Sequence, residues 1–263
     1  MGKFDGILIC SDFDGTLYTG GEVPRRSVEA IKYFQSEGGL FTICSGRDSA
    51  FLKEKSHFVE PNTYALCYNG AIICDLKTDE IIRKEFVTDE ALYATRALTE
   101  CGAEIKTINV CVESEDNSLR LHYSAEEFIT DFNNLLKMNI FKITINGAGE
   151  EDALLMMRSF NALGPKSHSI ARSFISYPEI MHNDNMKGSA ARRLKELTGA
   201  RLLVGVGDYE NDLDLIEKAD IGYAVGNAVE SVKAVADRVT VRVDECAIAK
   251  IIEELEAEYA IFE

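Results

Sequence analysis

The sequence predicts an α/β protein, a doubly wound parallel-sheet core with an α+β segment inserted into it. Three observations carry this expectation. Short apolar runs of strand length, Ile7–Cys10, Leu40–Cys44 and Leu202–Val206 among them, end in polar or glycine-containing turns. Segments with helical apolar spacing alternate with these runs toward both ends of the chain. From Lys84 to His182 the pattern changes, and strands follow one another in pairs between helices, as in a partly antiparallel layer.

The elements follow in order. Ile7–Cys10 reads as a buried strand, and Pro24 opens a helix with Val28, Ile31 and Phe34 on one face and Gly38-Gly39 at its end. Leu40–Cys44 is the next strand. Ala65–Cys67 runs into the turn signal Asn69-Gly70 and then Ala71–Cys74. In the middle segment the spacing predicts helices over Asp89–Cys101, Ala125–Lys137 and Glu151–Leu163. Strands are expected over Ile105–Val112, Ser118–Tyr123, Ile140–Ile145, His168–Phe174 and Tyr177–Met181. The βα alternation then returns: helix Lys187–Leu197 closed by Gly199, strand Leu202–Val206, helix Leu213–Ala219, strand Ile221–Val225, helix Val229–Ala236, strand Val239–Val243 and helix Ala247–Glu258. Residues 1–83 and 183–263 thus form one Rossmann-like core, and residues 84–182 an inserted α+β domain.

The 263 residues carry a formal net charge of −16. Such a field repels nucleic acid and anionic lipid, so neither is an expected partner. It also repels phosphorylated ligands, so a phosphate site here must be neutralised locally by a metal, Lys or Arg. The seven cysteines are odd in number and without repeating spacing, which argues against a disulfide framework and for a cytoplasmic setting. No run is long and apolar enough to span a membrane.

Four short motifs hold the chemistry. Asp12-Phe13-Asp14-Gly15-Thr16 directly follows the first strand, where parallel sheets open their active-site crevice. The alternation starts Asp12 and Asp14 on the same side of an extended chain. Two close carboxylates must differ in charge state, which suits a nucleophile, Asp12, beside a proton carrier, Asp14. Ser45-Gly46-Arg47 follows the second strand, with a hydroxyl and backbone N–H groups suited to phosphate oxygens; a helix cap would also explain the serine. Lys187 lies in the first turn of its helix, where the dipole disfavours a cation; such a broken local rule points toward function, though a solvated lysine would also explain it and, on this motif alone, explains it better. Gly207-Asp208-Tyr209-Glu210-Asn211-Asp212 again ends a strand with carboxylates, the oxygen ligands that Mg2+ takes. His57, His122, His168 and His182 have no metal-ligand spacing and are expected as surface or satisfied core residues.

These motifs, in this order, resemble those of the haloacid dehalogenase-like phosphohydrolases. Ser45-Gly46-Arg47, Tyr68-Asn69-Gly70-Ala71, Asn185-Met186-Lys187-Gly188 and Gly226-Asn227-Ala228 resemble the Cof-type subfamily, whose type IIB cap lies where the inserted segment lies here. The resemblance implies that Asp12 attacks phosphorus and that Asp14 protonates the leaving alcohol and then activates water. It implies that Ser45 and Lys187 hold the phosphoryl group, that Asn211 contacts phosphate, and that Gly46, Arg47 and Asn69 lie where substrate or cap is met. Asp12, the Asp14 carbonyl and Asp208 would bind Mg2+, with Asp212 in support. The implied activity is hydrolysis of small phosphorylated metabolites, sugar phosphates foremost. A phosphomutase with the same chemistry and a silent phospho-ligand binding protein stay open as alternatives. The oligomeric state is unreadable.

Overall fold

In the computed structural model, which describes residues 2–55, 58–115 and 117–259, the chain divides into two compact units. One comprises Met1–Arg83 and Met186–Glu263, the other Lys84–Asn185. His57 lies outside the described residues. The first unit begins with β1 (Ile7–Ser11), five consecutive buried residues, the pattern of a strand covered on both faces. Pro24, at φ −55°, leads into α1 (Arg25–Ser36), since its ring fixes an angle close to the helical one. Ile31 and Phe34 are buried along α1 while Val28 is half-buried. β2 (Leu40–Ile43), α2 (Ser49–Lys55), β3 (Ala65–Cys67), β4 (Ile72–Cys74) and β5 (Ile81–Lys84) follow. α2 and β5 have no counterpart in the sequence reading. α2 buries only Leu52, and no residue of β5 is fully buried, so neither displays an apolar period.

The second unit comprises α3 (Asp89–Leu98), β6 (Ile105–Ser114), β7 (Asn117–Tyr123), α4 (Ala125–Thr130), α5 (Phe132–Leu135), β8 (Ile140–Gly147), α6 (Glu150–Leu163), β9 (His168–Phe174) and β10 (Tyr177–His182). Its strands make one sheet in the order β7-β6-β8-β10-β9, with every recorded pairing antiparallel. Ile108, Val110, Ile143, Ile145 and Ile180 of the sheet share a core with Leu92, Phe128, Met156 and Phe160 of the helices. Lys142 and Glu179, each next in sequence to one of these core residues, form an ion pair at 2.6 Å with both side chains almost fully buried. The single helix expected over Ala125–Lys137 is two short ones. Asp131 interrupts it, its carboxylate accepting hydrogen bonds from Tyr123 at 2.8 Å and Asn134 at 2.6 Å. His168 is buried, with Nε2 accepting from the Thr88 N–H and Nδ1 on Glu90, both at 3.1 Å. This unit runs on past His182 to Asn185, whose amide donates to the Glu85 carbonyl at 3.2 Å.

The first unit resumes with α7 (Lys187–Thr198), β11 (Leu202–Gly207), α8 (Leu213–Lys218), β12 (Ile221–Ala224), α9 (Glu230–Val235), β13 (Arg238–Val239) and α10 (Ala247–Tyr259). Its main sheet has the order β13-β12-β11-β1-β2, all parallel. The chain builds outward in both directions from the β1–β11 pair, which puts a crevice at the carboxyl ends of those two strands. The last strand is far shorter than Val239–Val243. The Thr240 N–H still reaches Ala224, but Arg242 turns the chain into a 3₁₀ turn at Val243–Glu245. Among the described residues, no helix is long and apolar enough to cross a membrane, and all seven cysteines are free thiols.

Candidate active site

β1 and β11 lie side by side with Ser11 opposite Val206, so the residues that follow, Asp12 and Asp208, emerge at one edge. The Asp12 N–H continues the ladder to the Val206 carbonyl at 2.9 Å, which fixes its backbone while its side chain is buried. Lys187, the first residue of α7, is fully buried. Its ammonium donates to Asp12 Oδ1 and Asp212 Oδ1, both at 2.5 Å. The other oxygen of Asp212 accepts from the N–H groups of Asp208 at 2.9 Å and Tyr209 at 3.2 Å. Thr16 donates its hydroxyl to Asp208 Oδ1 at 2.9 Å. Carboxylate oxygens of Asp12, Asp208 and Asp212 come within 4.8 Å of one another.

Three carboxylates face one ammonium here, and the titration behaviour follows. Burial pushes the Asp12 carboxyl well above its usual range, and the Asp212 charge adds to this against the pull of Lys187. Asp208 is pushed up to about 7, by burial first and then by Asp212. Burial alone would lower Lys187, but the charges of Asp12 and Asp212 outweigh it and hold the ammonium above its ordinary value. The cluster is short of positive charge, and its donors are all oxygens. Both features fit a hard divalent cation such as Mg2+. Asp212, with both oxygens already engaged, suits a supporting place, whereas Asp12 and Asp208 suit direct contact. Among the described residues no histidine belongs to a group able to hold a metal.

The phosphate-side candidates form a second cluster. The buried Ser45 donates its N–H to Leu66 at 2.9 Å, and its carbonyl accepts from the Asn69 N–H at 2.8 Å. The Ser45 hydroxyl accepts the Arg47 N–H at 3.2 Å. It therefore caps its own turn and not a helix, and it engages one of the N–H groups that the sequence reading offers to phosphate. Tyr68 and Asn69 stand at φ +50° and +61°, a left-handed pair of non-glycine residues of the kind that clusters at functional sites. The bond from the Tyr68 N–H to the Arg47 carbonyl, 2.9 Å, holds this turn against the Ser45-Gly46-Arg47 loop. Asn211 is buried and meets Asn69 Oδ1 at 3.5 Å.

Asp14 departs from the expected side-by-side arrangement. β1 ends at Ser11, and the chain turns through Gly15 at φ +86°, directly after Asp14. Its exposed carboxylate accepts from Arg47 Nε at 2.9 Å, with the guanidinium 4.6 Å from the Phe51 ring centre, and it lies outside the Asp12–Asp208–Asp212 group. Two contributors had no role in the sequence reading. Thr16 orients Asp208, and Asn227 donates to the Gly15 carbonyl at 2.8 Å. Both belong to the quoted motifs, which is the signal that could have found them.

The profile of the haloacid dehalogenase-like hydrolases matches residues 9–252. A Haemophilus influenzae protein with a provisional phosphatase name is 29% identical over 258 residues, covering 94% of this chain and 97% of its own. YitU of Bacillus subtilis, a 5-amino-6-(5-phospho-D-ribitylamino)uracil phosphatase, is 24% identical over 267 residues, covering 94% and 96%. The solved structure of the subclass IIB sugar phosphatase BT4131 superposes with a TM-score of 0.71 at 22% identity, over 94% of this chain and 98% of that one. With a profile match across nearly its whole length, this chain belongs to the haloacid dehalogenase-like hydrolases.

Proposed function

We propose that this enzyme is a Mg2+-dependent phosphatase for small phosphate monoesters, sugar phosphates foremost, acting through an aspartyl-phosphate on Asp12. The observation that carries the reading is the buried ammonium of Lys187, placed on both Asp12 and Asp212 at the carboxyl end of β1. An ammonium there fixes the nucleophilic carboxylate and is positioned to offset the charge of an incoming phosphoryl group.

In the first step the Asp12 carboxylate forms a bond to phosphorus while the ester P–O bond breaks, and Asp14 gives its proton to the leaving alcohol. In the second, Asp14 takes a proton from water as the water oxygen attacks phosphorus. The bond to Asp12 then breaks and inorganic phosphate leaves. Asp14 starts on Arg47, and its side chain leaves that ion pair to turn to the leaving oxygen. Ser45, Lys187 and Asn211 hold the phosphoryl oxygens, and Gly46, Arg47 and Asn69 contact the substrate. Mg2+ bound by Asp12, Asp208 and the Asp14 carbonyl, with Asp212 in support, would neutralise the phosphoryl oxygens. The unit Lys84–Asn185 is assigned substrate selectivity, as a cap. BT4131 is named for sugar phosphates and YitU for a ribityl phosphate, and their shared polyol phosphate character supports that substrate class. The free thiols support a cytoplasmic setting.

The test is phosphate release from a panel of sugar phosphates, nucleotides and cofactor phosphates, with Mg2+ and with EDTA. Mg2+-dependent release concentrated on hexose or pentose phosphates is expected. Isomerised sugar phosphate without free phosphate would replace the reading by a phosphomutase. Binding without turnover would replace it by a phospho-ligand binding protein.

A further inference from the structure

We infer that Asn227 is a positioning residue that holds Gly15 against the Asp208 carboxylate, and so sets the affinity of the site for Mg2+. This rests on the Mg2+ reading above. The loop after β12 reaches along the sheet's carboxyl edge to the end of β11. Its Val229 N–H donates to the Asp208 carbonyl at 2.9 Å and its Val225 N–H to the Gly207 carbonyl at 3.2 Å. Between them, Asn227 Nδ2 donates to the Gly15 carbonyl at 2.8 Å, while Asn227 Oδ1 accepts from the Val243 N–H at 2.9 Å. One side chain therefore joins the loops that follow β1 and β12 and the turn that precedes α10.

The consequence lies at Gly15. Its N–H donates to the Tyr18 carbonyl at 2.9 Å. Peptide units are rigid planes. The Tyr18 bond fixes the plane that contains the Asp14 carbonyl, and the Asn227 bond fixes the next plane along. Gly15 is the joint between the two, at φ +86°, where glycine turns most freely. Without Asn227 the second plane loses its bond to the loop after β12, and Gly15 is free to shift within the turn that the Leu17 and Tyr18 N–H groups close on the Phe13 carbonyl. Gly15 also lies against the Asp208 carboxylate, since a Cβ there would come 2.5 Å from Asp208 Oδ2. A shift of Gly15 thus disturbs the seat of Asp208, one of the groups assigned to Mg2+, while the Tyr18 bond keeps the Asp14 carbonyl in place.

The experiment measures Mg2+ binding to wild type, Asn227→Ala, Asn227→Ser and Val243→Pro by calorimetry and by the rise of melting temperature with MgCl2. Val243→Pro removes the N–H that serves Oδ1 and trades one apolar side chain for another, at the first position of a 3₁₀ turn, where proline is tolerated. Both Asn227 variants are expected to lose about 10-fold in Mg2+ affinity, at the low end for groups that orient a metal's ligands. Val243→Pro is expected to stay within about 2-fold of wild type, and at saturating Mg2+ the KM for an aryl phosphate is expected to stay near the wild-type value. Should Asn227→Ala fail to fold, Asn227→Ser carries the same comparison. Wild-type affinity in a folded Asn227 variant overturns the inference. A wild type that binds no Mg2+ overturns the metal reading instead, so the two failures are distinct.

Discussion

Asp12 and Asp14 stand two positions apart in sequence, yet they occupy different surroundings. Asp12 is buried on Lys187, and Asp14 is exposed on Arg47. Asp12→Asn is expected to lower kcat by about 10⁴-fold or more, the scale on which covalent catalysts lose activity without their nucleophile. The same change removes a charge that burial and Asp212 already disfavour. The metal-free variant is therefore expected to melt no lower than wild type, with calorimetry as the check. For Asp14→Asn a slower turnover is expected, by about 10²–10⁴-fold, the share of a general acid and base. Phosphoenzyme should accumulate because the second step needs the base; a rapid quench with labelled substrate would reveal its absence. Asp208 sets a third expectation. Its carboxyl, pushed up to about 7, must lose its proton to take a cation. Mg2+ affinity should rise as pH rises from 5 to about 7 and level off above, with proton release on binding. Calorimetric titrations in buffers of different ionisation enthalpy measure both.

At the scale of the element, the packing of α7 decides where Lys187 ends up. Gly188 lies so close to α8 that a Cβ would sit 1.9 Å from the Asp214 carbonyl oxygen. Gly188→Ala gains about 1 kcal/mol of helix propensity. It also forces the new methyl against the α8 backbone, at a cost of about 1–3 kcal/mol or more, so the clash wins. The variant is expected to melt several degrees lower and to lose kcat out of proportion, because the helix that moves carries the ammonium; circular dichroism and steady-state assays give the two readings. This contact also marks the limit of what the sequence discloses. The strands were legible because β1 and β11 are apolar on both faces, and the motifs were legible because they sit at strand ends. α2 and β5 were not, since they bury little and show no period. Nor was the break at Asp131, which is made by side-chain bonds to Tyr123 and Asn134 that no spacing rule contains. The parting of Asp14 from Asp12 was hidden for a similar reason. Alternation holds only while a strand continues, and the place where β1 stops depends on the turn at Gly15.

Over the whole molecule the two units are expected to respond to pH in opposite senses. In the unit that holds the acidic cluster, Asp208 titrates near 7 when folded, against 3.8 for an ordinary aspartate, and Asp12 is raised as well. Between those values the folded state keeps protons that the unfolded state has lost, so without metal the stability of this unit falls as pH rises through the window. In the unit Lys84–Asn185, burial lowers His168 below its ordinary 6.5, against the pull of Glu90. There the unfolded state takes the proton first, so stability falls as pH drops below 6.5. Glu90, held at about 2 by the Lys166 and Ser167 N–H groups and by His168, adds a loss that sets in only as pH falls below 4.5, its ordinary value. Down to pH 5 the Glu90 carboxylate stays mostly ionised in both states, so the two opposed responses lead. Hydrogen exchange resolves regions of one chain by their separate opening energies. In EDTA, lowering pH from 7.5 to 5 is expected to slow the opening of β1 and β11, after correction for the intrinsic rate, and to speed that of β9 and α3. Mg2+ should abolish the first change, because the bound cation holds the carboxylates ionised at both pH values, and leave the second untouched. Parallel movement of both units would show that the acidic cluster does not govern the stability of the sheet that carries it.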